Sequence, residues 1–152
     1  MALPNIFTPE TTAHYLERLE KLKPDTVPQW GEMDAAQMLA HLCVAYDIAY
    51  GNIEVSYNPV MRFMFKLFLK PLVVGNKPYQ KNSRTAPAFK IREAKVFETE
   101  KERLIQLIKD TEARGETYFE GKFSSSFGKL SSQEWSTQFT KHMEHHFTQF
   151  GI

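Results

Sequence analysis

Residues 130–151 read LSSQEWSTQFTKHMEHHFTQFG, and the first six of them constrain the fold more tightly than any other stretch of the chain. The Ser131 hydroxyl can accept from the free backbone N–H three residues on, Glu134 can reach back to the Ser131 N–H, and Leu130 and Trp135 occupy the two positions of a hydrophobic staple. A helix entered this way has its phase set from its first residue. At about 100° per residue, with Trp135 at zero, His142 falls at about −20° and His146 at about +20°. Both lie in the middle of an apolar face shared with Phe139, Met143 and Phe150. His145 falls at the rim of that face, and Gln149 lies beside His142.

The rest of the chain is punctuated in the same manner. Thr8, Pro9 and Glu10 start a helix expected to run to Leu22, with Ala13, Leu16 and Leu19 inward and Pro24 as its stop. Asp34 and Gln37 form a second capping box, and the helix behind it ends at Gly51. Its inner stripe is Met38, Leu42, Ala45 and Ala49, with His41 on the edge. A third helix, Pro59 to Leu69, is apolar nearly all round except for the stripe of Arg62, Lys66 and Lys70. A fourth runs from Lys95 to Arg114 with Leu104, Leu107 and Ile108 inward and Gly115 beyond its end.

Between the third and fourth helices, residues 71–94 hold Pro71, Gly75, Pro78 and Pro87 among polar residues. They predict a long irregular connection, of the kind that serves as a lid or conceals a short element. Tyr79 and Asn82 are expected by location to line a pocket there. No segment alternates as a strand would, and no repeat is present. The expectation is one all-α domain over residues 1–152, a four-helix or five-helix bundle with long crossover loops.

Composition excludes several classes. Nineteen basic against eighteen acidic residues give a net charge of +1, too little field to gather a polyanion, so no nucleic acid partner is expected. A single cysteine, Cys43, rules out an intrachain disulfide and an all-cysteine zinc site. It lies about 200° around the helix from His41 and reads as a packing residue, not as half of a Cys–His nucleophile pair. The N-terminal residues lack the apolar run of a signal peptide, and the stretch around VMRFMFKLFLK is too charged to be a transmembrane segment. A cytoplasmic protein is expected. No P-loop, dinucleotide fingerprint or G-x-S-x-G elbow occurs.

Two neutral imidazoles one turn apart on a buried face need partners for their ring nitrogens, and one divalent ion satisfies both. His41 is placed to supply a third ring. The competing reading is that histidines near a helix C-terminus interact with its negative end, for about 0.3–1 kcal/mol each when protonated. His14 reads as a surface or helix-interface residue. Asp47 and Glu144 are not phased to reach the rings and read as solvated charges.

MLAHL on an early helix, together with HMEHHFTQ on a late one, resembles the DinB/YfiT-like group of metal-dependent enzymes. That resemblance implies a DinB-like bundle with His41, His142 and His146 as metal ligands, and Gln149 and His145 as outer partners. It also implies hydrolysis, or transfer of a low-molecular-weight thiol, on a small-molecule substrate; a homodimer is expected separately, on the apolar surface of residues 59–70. Affinity order favours copper or nickel at nitrogen ligands, and availability decides, so zinc or nickel is the expected ion. With three imidazoles the ion keeps a position for water or thiolate.

A different class of function rests on residues 59–70. A helix with Phe and Met on most faces and a basic stripe can lie on an anionic membrane, dock a partner, or pair with a second copy. Otherwise it is a core helix whose basic stems snorkel.

Overall fold

Three helix starts carry the side-chain caps that the sequence places there. In the computed structural model, which describes residues 3–152, Thr8 accepts from the Thr11 N–H at 3.3 Å to open α1 (Pro9–Glu20). The reciprocal box of Asp34 and Gln37 opens α2 (Ala35–Tyr50), and Gly51, at φ +77°, closes it in the left-handed region that glycine enters without strain. Asn58 caps α3 (Pro59–Phe68), a five-residue α4 (Lys70–Val74) comes directly after it, and α5 spans Phe97–Phe119. Ser131 and Glu134 form the second reciprocal box, at the head of α6 (Ser132–Gln149). The architecture is an all-α bundle.

α2 is buried on nearly every side and forms the axis of the bundle. It packs against α5 and α6, while α1 lies on α5 and reaches α6 through the edge-on contact of Tyr15 with Phe147. Leu130 and Trp135 are both buried, so the staple that starts α6 is also part of the core. α4 rests on α6, where the Lys141 ammonium donates to the carbonyls of Leu72 and Gly75.

Several details differ from the sequence expectation. Ala13 is exposed, because α1 turns Tyr15 and Leu19 inward and Ala13 lies about 200° from Tyr15. The connection after Pro71 is not wholly irregular: it contains α4 and a 3-10 turn at Pro87–Phe89 that packs on α2. Each is shorter than the window of about 11–18 residues over which helical periodicity shows. Two-residue strands β1 (Phe123–Ser124) and β2 (Gly128–Lys129) pair antiparallel, too briefly to show alternation. The fourth expected helix does break at Gly115 (φ +70°), but a further helical turn carries it to Phe119.

Charge and burial also differ from the sequence expectation. Asp47 is not a solvated charge; it is 4% exposed and paired with Arg103, whose other nitrogen donates to Glu100 at 3.1 Å. Glu144 likewise holds Arg18 at 2.6 Å. α3 is not a core helix, since none of its residues is buried.

Candidate metal centre

The two histidine helices meet because α2 and α6 pack side by side, with His41 two turns into one and His142 and His146 on the inner face of the other. One ring nitrogen from each of the three histidines falls within a set whose members are all within 4.8 Å of one another. His41 Nε2 and His142 Nε2 are 2.8 Å apart. Three nitrogens at about 2.0–2.1 Å from one tetrahedral zinc stand about 3.4 Å apart. The observed spacing brackets that figure, so ring shifts of about an ångström complete the fit.

The hydrogen bonds behind the rings decide which nitrogens are free. His41 Nδ1 lies 2.7 Å from the Phe89 carbonyl oxygen, which can only accept, so Nδ1 carries the proton and Nε2 is left bare. His146 Nδ1 lies 2.7 Å from Gln149 Oε1. The Gln149 amide is itself oriented, because its Nε2 donates to the Trp30 carbonyl at 2.6 Å. Oε1 must therefore accept, His146 Nδ1 is protonated, and His146 Nε2 is also bare. Bare Nε2 atoms backed by Nδ1–H donors are the arrangement found around metal-binding histidines.

Gly31 makes this anchor possible. It sits at φ +82°, and a Cβ there would come within 2.6 Å of Gln149 Nε2, an atom that cannot retreat without releasing Trp30 or His146.

Burial keeps the rings neutral. Desolvation lowers the pKa of His41, drives that of His142 well below the ordinary histidine value with help from the neighbouring rings, and brings that of His146 to about 3. All three therefore hold lone pairs at neutral pH. The dipole reading of the terminal cluster needs protonated rings and does not describe His142 and His146.

His145 does not join the set. Its ring stands edge-on to His146, Trp30 and Tyr79 and lines the cavity beside the site. His14 is exposed beside Arg18, and Cys43 is buried in the core with its thiol pKa pushed up to about 12. Sequence reasoning missed Phe89, Trp30 and Gly31, which act through backbone atoms or close approach and leave no side-chain signal.

The rings face a cavity of about 1060 Å³ that Tyr79 and Asn82 also line. Its walls include Phe65 from α3, Val73 from α4 and Leu69 between the two, so the segment beyond α2 roofs the site.

A family model described as "Protein of unknown function (DUF1569)" matches residues 8–151. No curated protein and no solved structure matches the chain.

Proposed function

We propose a function from the premise that the chain belongs to the DUF1569 family. It is a metal-dependent enzyme of the DinB/YfiT-like kind, holding zinc or nickel on His41, His142 and His146. It catalyses hydrolysis, or transfer of a small-molecule thiol, in the cavity above them. The observation that carries the reading is the convergence of three neutral imidazole nitrogens, two of them with their second nitrogen already committed as a donor.

When bound, such an ion would supply Lewis acidity, lowering the pKa of a bound water toward about 7 or deprotonating a bound thiol. The chain's own residues do the positioning. Phe89 and Gln149 hold two rings in the tautomer that presents Nε2, and Trp30 and Gly31 hold Gln149. Phe65, Leu69 and Val73 give the cavity an apolar wall that takes the body of a small substrate and excludes water from it.

Metal analysis of protein purified without chelators tests this. About one zinc or nickel per chain is expected, falling to background in His142→Ala while the helical circular dichroism is unchanged. Protein that stays metal-free after incubation with zinc and with nickel overturns the catalytic reading and leaves the fold. Turnover that depends on added thiol separates transfer from hydrolysis.

A further inference from the structure

We infer that residues 55–92 dock this protein on an anionic lipid surface, with the outward face of α3 set at the headgroup boundary. The inference does not depend on the metal reading.

The first observation is an unpartnered face. Val60, Phe63, Met64 and Leu67 recur at i, i+3, i+4 and i+7, and they are 73%, 64%, 45% and 55% exposed. Phe68 and Leu72 extend the same apolar surface at 59% and 61%. The opposite side of α3 is occupied, since Phe65 meets Tyr57 edge-on and lines the cavity. The outward side has no such contact, and the helix has no buried residue at all.

The second observation is charge. Residues 55–92 carry five lysines, three arginines and no Asp or Glu, a local charge of +8 in a chain whose total is +1. Elsewhere 11 basic residues face 18 acidic ones. Among the described residues only one of the eight cations, Lys70, has a carboxylate partner, Glu134 at 2.7 Å. Of the other seven, Arg84, Lys90 and Arg92 line the cavity and Arg62 donates to the Ser125 and Tyr57 carbonyls, leaving Lys66, Lys77 and Lys81 with neither a carboxylate partner nor a place in the cavity among the described residues.

Together the two features select the occupant. A second copy docked through this face by a two-fold axis would set the patch against itself and bring like charges together. A soluble polyanion would pair with the cations and leave the Phe, Met and Leu side chains in water. An anionic bilayer takes both, the cations at the phosphates and the apolar face at the acyl boundary. Among the described residues no helix is long and apolar enough to cross a membrane, so the docking is peripheral, with α3 lying in the plane of the surface.

Co-sedimentation of the full chain with two kinds of vesicle tests the inference. Vesicles of phosphatidylcholine alone are compared with vesicles of equal parts phosphatidylcholine and phosphatidylserine. The protein should partition onto the mixed vesicles more than tenfold better, and raised salt should release it. Lys66→Glu should weaken partitioning by about tenfold or more. The double variant Phe63→Ser, Leu67→Ser should do the same with its metal content unchanged, since neither side chain lines the cavity. Equal or absent sedimentation with the two vesicles overturns the inference, as does anionic binding that survives the double variant. A concentration-dependent dimer abolished by that variant also overturns it and assigns the face to a second copy.

Discussion

The Nε2 atoms of His41 and His142 lie 2.8 Å apart although 101 positions separate the residues in sequence. Two bare lone pairs at that distance repel, so a proton or a cation must lie between them. His41 Nδ1–H is committed to Phe89, which makes His142 the ring that changes tautomer when an ion arrives.

This gives a calorimetric prediction. At pH 6, three ordinary histidines of pKa about 6.5 would together release about two protons on binding zinc. Here desolvation lowers all three pKa values, most strongly those of His142 and His146, so those two rings are already neutral and His41 alone is left to give up less than one proton. Titrating zinc at pH 6 in two buffers of different ionisation enthalpy should yield binding enthalpies that differ by well under the two-proton equivalent. A difference equivalent to two protons would show that the rings are charged.

Gln149 holds His146 without being a ligand, and Gly31 holds Gln149. Removing such an outer hydrogen bond usually lowers metal affinity by about 10- to 100-fold. Gln149→Ala should fall in that range by competition with a chelator of known affinity. Gly31→Ala should shift affinity in the same direction although it removes no polar group, because its methyl displaces the amide. An unchanged affinity in both variants would mean that the His146 ring is held by packing alone.

Much of this arrangement is legible in the sequence alone, and the reason is local. Capping boxes at Asp34 and Ser131 fix helix phase from the first turn, so the inward placing of His142 and His146 comes from counting residues. Caps carry no information about distance between helices, which is why the sequence could put His41 only on the edge of a stripe. Asp47 shows the other failure. Its partner Arg103 lies 56 positions away on α5, and an ion pair between elements has no periodic signature. Phe89 was hidden for a third reason: its carbonyl, not its side chain, meets His41, and a 3-10 turn of three residues presents it.

Acid should unfold the chelator-treated protein earlier than its carboxylates alone would require. The pKa of His146 is about 3 in the folded chain against an ordinary value of 6.5, so between those values the unfolded state binds the extra proton. Stability therefore rises with pH; the contribution is full above the unfolded value and is lost as pH falls toward the folded one. By pH 5 the loss from His146 alone is about 2 kcal/mol. Urea unfolding at pH 7.5 and at pH 5 should show this drop in the wild type, and a smaller one in His146→Gln, whose side chain takes up no proton.

Arg103 separates stability from the site. Its guanidinium spans Asp47 and Glu100, whose side chains are 5% and 10% exposed, at the contact between α2 and α5. Arg103→Ala leaves two buried carboxylates without their shared cation, and because that cation is itself 43% exposed the cost should fall below that of a fully buried pair, at about 1–3 kcal/mol. The urea midpoint should fall accordingly, and adding Asp47→Asn should recover part of the loss by removing one of the two stranded charges. Metal content should be the same in all three proteins, because neither Arg103 nor Asp47 lines the cavity. If Arg103→Ala loses metal while its helical signal at low temperature is intact, the network is coupled to the imidazoles through α2 and is not merely a clamp between helices.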